Sequence, residues 1–239
     1  MKRHMKTMWL MLCLFAVVSV AAAENPQVVP TPKNSPEWRN KHEQYVAAAK
    51  KGDIEVLFLG DSITEFWRTA GKEVWAKHYG PLKAANFGIA GDRVENILWR
   101  ITNGELDGIK PRVVVLLAGI NNSWGTKREE QERRGQFIAA GVTEIVKTIR
   151  EKLPETKILL LAIFPLGDGT APCVRLANET IAKLDNGKTV RFLDIGPKLA
   201  GADGNVPKDI MPDGVHPSAK GYEVWAQAMA ALLAEMIGK

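Results

Sequence analysis

Five short apolar runs, separated by helical segments, restrict this sequence more than any other feature. Residues 113–118, VVVLLA, and 158–164, ILLLAIF, carry no polar residue, and 54–59 carries one. A strand with no polar face is buried on both sides. Weaker runs follow the same reading at 82–87 and 190–195. Between them lie segments with apolar residues at helical spacing: 38–51, 74–79, 93–101 (RVENILWRI), 129–153, 173–184 and 218–237. Strands buried on both faces and alternating with helices predict a central sheet, mostly parallel, with crossover helices on each side. Ligands of such sheets collect at the carboxyl ends of the strands. The polar residues at those ends are therefore the place to look for chemistry.

The first residues stand apart from the fold. Lys2, Arg3, His4 and Lys6 precede the apolar stretch 9–20, WLMLCLFAVVSV, which is too short to span a bilayer, and Ala21-Ala22-Ala23 follows it. That pattern predicts a signal peptide over residues 1–23, cleaved after Ala23, and a secreted or periplasmic chain with no stable membrane span after cleavage. Removing 23 of 239 residues leaves 216, enough for one domain with a sizeable core. It also takes Lys plus Arg from 32 to 29 against 27 Asp plus Glu, so a net charge of +5 becomes +2. No dense basic tract remains, which argues against a nucleic-acid partner. Cys13 leaves with the signal. Cys173, the one cysteine left, has no internal partner and reads as a packed residue at a helix start. Residues 24–36, ENPQVVPTPKNSP, hold four prolines and read as an extended leader; 37–239 reads as one domain.

At the strand ends stand Asp61-Ser62, Asn86-Phe87-Gly88, Gly119-Ile120-Asn121-Asn122 and Asp194. Ser62 has two readings, a helix cap or a nucleophile at a strand tip. A nucleophile needs a base. His42, between Lys41 and Glu43, reads as solvated, and His78 sits near a helix end where a cation suits the dipole. His216 lies in Pro212-Asp213-Gly214-Val215-His216-Pro217, where Asp213 can fold back onto one ring nitrogen and leave the other for a serine. Taken alone, D-x-x-H is equally a loop motif or half a metal site, but no further His or Cys lies near it in sequence. Gly88 and Asn121 fit either turn chemistry or donation to an oxyanion, together with the Ser62 amide. Asp61 reads as a brace of the Ser62 turn, and Asp92 as the cap of the helix after it.

In order and spacing, Gly60-Asp61-Ser62-Ile63, Gly88, Gly119-Ile120-Asn121-Asn122 and Asp213-x-x-His216 resemble the four blocks of the SGNH (GDSL-type) hydrolases. Asn86 to Asp92, Trp99-Arg100 and Asn103-Gly104-Glu105-Leu106 are similar to the platelet-activating-factor acetylhydrolase catalytic-subunit branch, over roughly residues 37–236. The resemblance implies a three-layer α/β/α flavodoxin-like fold with five strands, Ser62 as nucleophile, and His216 with Asp213 as base and orienter. It implies Gly88, Asn121 and the Ser62 amide as oxyanion donors. It implies no cofactor or metal, and leaves a homodimer open. Thr64 replaces the second glycine of a G-x-S-x-G elbow, which favours this family over α/β-hydrolases. Leu166 stands where many relatives carry a basic residue nearby, and Asn122 where many carry Asp.

The expected activity is a serine esterase that removes short acyl groups, acetyl first, from an O-acetylated carbohydrate. A phospholipid or lysophospholipid acyl-esterase is the alternative, although the sequence displays no long apolar groove. A carbohydrate-binding module is the non-enzyme reading, and it has no need of Ser62, Asn121, Asp213 and His216 together. Trp67 and Trp124, each a few residues past a block, are candidates to stack on a sugar ring, as is Trp99, with Asp61 beside them as a substrate-binding residue; core packing is the competing role for each tryptophan.

Overall fold

The computed structural model describes residues 25–166 and 171–238. The expected signal peptide, 1–23, lies outside the described residues. Five strands form one sheet: β1 (Val56–Gly60), β2 (Ala84–Gly88), β3 (Val113–Leu117), β4 (Lys157–Leu161) and β5 (Val190–Leu193). Their order is β2-β1-β3-β4-β5 and every pairing is parallel. All residues of β1 and β3 are buried, as strands without a polar face require. The direction of winding reverses between β1 and β3, so the crevice of the sheet opens there.

Nine α-helices among the described residues complete the layers: α1 (Pro36–Lys51), α2 (Ser62–Glu65), α3 (Lys72–His78), α4 (Val94–Thr102), α5 (Ile120–Ser123), α6 (Gln131–Lys152), α7 (Pro172–Ile181), α8 (Gly196–Leu199) and α9 (Ala219–Ile237). On one face Phe58 of β1 meets an aromatic cluster. Its ring lies 4.8 Å from those of Trp75 and Tyr79, and Trp67 in turn meets Tyr222 at 4.3 Å and Trp225 at 4.9 Å. That cluster seats α3 and α9. The other face carries α4, α6 and α7, with α6 packed between the other two.

Helix α1 starts as its sequence directs: Ser35 accepts from the Trp38 amide, Pro36 opens the first turn, and Gly52 closes the helix in the left-handed region. Its buried face presents Trp38, His42, Tyr45 and Ala49. His42, expected in solvent, is instead buried and its Nδ1 meets Glu105 Oε1 at 2.9 Å. Local sequence hides this because Glu105 is brought in from beyond α4.

The centre of that contact is Arg100, fully buried in α4. Its Nε donates to Asp92 Oδ2 at 2.8 Å, its Nη1 to Glu105 Oε2 and to the Phe87 carbonyl, and its Nη2 to the Gly60 carbonyl at 3.2 Å. Burial works against the Arg100 charge, but the Glu105 and Asp92 carboxylates outweigh it and raise its pKa. Asp92 therefore does not cap α4, contrary to the sequence reading. Arg93 holds the cap position, and its amide donates to Asn96 Oδ1 at 2.9 Å.

The leader is not a free tether. A short turn at Pro26–Val28 places Gln27 in a buried position, and the Thr31 amide donates to the Glu95 carbonyl at 3.0 Å. Removing the Arg100 cation would strand two buried carboxylates. Arg100→Met is accordingly expected to destabilise the fold by about 3–5 kcal/mol in urea unfolding; a loss below about 1 kcal/mol would show that the carboxylates find other partners.

Candidate active site

Ser62 stands at the first position of α2, with Asp61 alone between it and β1. Asp61 caps that helix: its Oδ1 accepts from the Ile63 amide at 3.0 Å. The Tyr222 hydroxyl of α9 donates to the Ile63 carbonyl at 2.7 Å and fixes the same turn from below. The bend lies against β2, whose last residue pairs with Gly60 through Gly88. A Cβ on Gly88 would sit 2.3 Å from the Glu65 nitrogen, so only glycine lets α2 cross the strand end.

His216 arrives from the opposite end of the chain. Its Nε2 lies 2.8 Å from Ser62 Oγ and its Nδ1 lies 2.6 Å from Asp213 Oδ2. With Nδ1–H donated to the carboxylate, Nε2 is left to accept from the serine hydroxyl. Asp213 also accepts the His216 amide at 2.7 Å and the Val215 amide at 2.9 Å. Burial acts to raise its carboxyl, but these three hydrogen bonds prevail and hold it at about 2. The Phe66 ring, 4.8 Å from the imidazole, restricts the remaining rotation.

Asn121 lies in α5, just past β3, across the crevice from Ser62. Its Nδ2 donates to the Asp92 carbonyl at 2.8 Å, which orients the amide and leaves one N–H for another acceptor. The Gly88 amide donates to Asn86 Oδ1 at 2.8 Å, and Asn86 Nδ2 donates to the Thr64 carbonyl. Asn122 is buried and structural: it accepts from the Val94 amide and donates to Glu95. Among the described residues no group of three or more His, Cys, Asp or Glu is arranged to hold a metal ion.

The four candidate substrate contacts separate here. Trp67 is 1% exposed within the aromatic cluster, so it fills core and cannot meet a ligand. Asp61 is 0% exposed and serves the turn, which also removes it from substrate binding. Trp124 is 47% exposed and lines a cleft of about 520 Å3 with Leu166, Lys208, Met211, Asp213 and Val215. Trp99 packs on Trp38 and His42. No role at the site for Arg100, Tyr45 or Asn86 follows from the sequence alone. Tyr45 donates to the Gly88 carbonyl at 2.7 Å. Only Asn86, two residues before Gly88, left a local signal, because Asn commonly bonds backbone two residues on.

A sheet of this strand order, with serine, imidazole and carboxylate in line at its crevice, is the architecture of an acyl-ester hydrolase. The chain belongs to the GDSL-like Lipase/Acylhydrolase family, whose model matches residues 58–224. It is 32% identical over 228 residues to platelet-activating factor acetylhydrolase IB subunit alpha1 of Homo sapiens, covering 92% of this chain and 94% of that relative. A GDSL-like lipase from Bacteroides thetaiotaomicron superposes with a TM-score of 0.63 at 17% identity, covering 81% of this chain and 97% of that one. An acetyl xylan esterase superposes with a TM-score of 0.56 at 19% identity, covering 75% and 100%. The chain is a carboxylic ester hydrolase of the GDSL type.

Asp61 offers a test of the turn. Burial, with Asp92 nearby, pushes its carboxyl up to about 7 from 3.8, and its Oδ2 has no hydrogen-bond partner. Such an acid keeps its proton in the folded chain where the unfolded chain has lost it. Its contribution to stability is therefore full below about pH 4, declines as pH rises, and is gone above about pH 7. Asp61→Asn retains the cap and carries no charge. Its urea-unfolding free energy is expected to fall less steeply than wild type between those limits, by roughly 1 kcal/mol per pH unit. Parallel curves would mean an unperturbed carboxyl.

Proposed function

We propose that the chain is an exported serine esterase that removes short acyl groups, acetyl in particular, from O-acetylated carbohydrate. The observation that carries the mechanism is the 2.8 Å approach of His216 Nε2 to Ser62 Oγ. Ser62 Oγ attacks the ester carbonyl as its proton passes to Nε2. The imidazolium formed is stabilised by Asp213. The oxyanion is received by the Ser62 amide and the free N–H of Asn121, with the Gly88 amide as a third donor that must share its bond to Asn86. His216 then gives its proton to the leaving alcohol, and an acyl-enzyme on Ser62 remains. Water, deprotonated by the same nitrogen, releases the acid and restores the hydroxyl.

Carbohydrate is supported by Trp124, whose exposed face borders the cleft that holds Asp213. Aromatic faces at such a rim suit the apolar side of a sugar ring. Acetyl is supported by the names of two similar proteins, the acetylhydrolase subunit and the acetyl xylan esterase. Export rests on the apolar stretch within residues 1–23. The second reading, an acetylated phospholipid as substrate, is favoured by the 32% identity to the acetylhydrolase subunit.

The test is the protein from residue 24 assayed on p-nitrophenyl acetate, butyrate and octanoate, on acetylated xylan, and on an acetylated glycerophospholipid. Acetate is expected to turn over fastest, and Ser62→Ala to lose at least about 10⁴ in kcat. Trp124→Ala should raise KM on xylan about tenfold and leave p-nitrophenyl acetate unchanged, an effect of the size of one aromatic contact. Turnover of the phospholipid alone, or an equal loss on both substrates in Trp124→Ala, would overturn the carbohydrate reading and leave the serine chemistry in place.

A further inference from the structure

We infer that Lys33, in the proline-rich leader, is a positioning residue for the oxyanion site, acting through Asp92 on Asn121. This rests on the proposed role of Asn121 as an oxyanion donor. Asp92 is the junction. It is fully buried, and all its acceptors are engaged. Oδ1 accepts Trp38 Nε1 at 2.7 Å and meets Lys33 Nζ at 3.1 Å. Oδ2 accepts Arg100 Nε, and the backbone carbonyl accepts Asn121 Nδ2 at 2.8 Å. The same residue that receives the leader's cation thus fixes the plane of the Asn121 amide.

The charges explain why the leader is needed. Asp92, Arg100 and Glu105 are all 0% exposed, and formally two carboxylates face one guanidinium. The remaining partners enter at the two ends. His42 meets Glu105 and Lys33 meets Asp92. Lys33 is the only ammonium within ion-pair distance of this group among the described residues. Without it Asp92 keeps the Trp38 and Arg100 bonds but loses the ammonium beside Oδ1. A buried carboxylate short of one cation draws its segment toward water. Lys33 also donates to the Ala90 carbonyl at 3.1 Å, so it grips the 90–92 turn at two points. The leader is held in place for this on either side: the Thr31 amide bonds the Glu95 carbonyl, Asn96 Nδ2 bonds the Thr31 carbonyl, and Ser35 caps α1.

An oxyanion donor acts on the transition state, so misplacing it lowers kcat and leaves KM nearly alone. The experiment is a double-mutant cycle on p-nitrophenyl acetate with the protein from residue 24, at a temperature where circular dichroism shows every variant folded. Asn121→Ala is expected to lose on the order of 10²–10³ in kcat. Lys33→Met is expected to lose about tenfold in kcat at unchanged KM, and Lys33→Arg to restore most of it. In the Asn121→Ala background, Lys33→Met should cost less than about twofold, because the group it positions is gone. A role in stability alone would give the same factor in both backgrounds and overturn the inference, as would wild-type kcat in Lys33→Met. Full kcat in Asn121→Ala would overturn the donor assignment itself. Loss in Asn121→Ala without loss in Lys33→Met would overturn only the leader's part.

Discussion

A strand that becomes a helix with one residue between them has to turn where no side chain can be accommodated. At Gly60 a Cβ would lie 2.2 Å from Thr64 Oγ1 and 2.4 Å from the Leu117 carbonyl. Its sheet partner Gly88 faces the backbone of the same helix. The bare pair Gly60–Gly88 is what lets α2 lie across the ends of β1 and β2. Ser62 reaches the crevice because of it, and the cap from Asp61 and the tether from Tyr222 hold the turn once made. Oγ is thereby placed by backbone, before any catalytic partner is considered.

The carbonyls at that bend are met by side chains from outside the sheet, in addition to the Ile89 amide on Gly60. Arg100 answers the Gly60 and Phe87 carbonyls together, and Tyr45 answers Gly88. Bringing a guanidinium there requires carboxylates, and bringing buried carboxylates requires further donors, which reach out to Trp38, His42 and Lys33. The charged cluster behind the site is thus a consequence of the geometry in front of it. A buried polar network is stabilising only when every member is satisfied. That condition ties α1 and the leader to the strand ends they never contact in sequence.

This explains which parts were legible beforehand. The five strands and the helices between them follow from apolar runs and helical spacing, and their cores sit within a few residues of the observed elements. The parallel sheet followed from the absence of polar positions in 113–118. Ser62, Asp213 and His216 could be paired because Asp and His stand three apart in a turn-rich segment and because the order of blocks resembled a known family. Long-range burial was not legible. His42 sits between two charged neighbours and reads as solvated, and Trp67 follows a motif and is open to either a sugar or the core, yet each is covered by residues more than 60 positions away. Periodicity reports which face of an element is apolar. It does not report that a charge from one leader and a carboxylate beyond another helix will meet behind a strand end.

The two halves of the site differ in how they are held, and that difference bears on when they act. Ser62 and the groups around it are buried and cross-linked. His216 and Asp213 sit on a surface turn, with side chains 28% and 57% exposed. Water screens the Asp213 charge while the cleft beside it is open. The cleft that Trp124 lines has Asp213 in its wall, so a group seated there covers the carboxylate. Covering it lowers the local dielectric and strengthens the attraction between Asp213 and an imidazolium. On the proposed reading the alcohol of the ester lies in that cleft, so the leaving group completes the base that expels it, and an ester too small to fill the cleft reacts with Asp213 still wet.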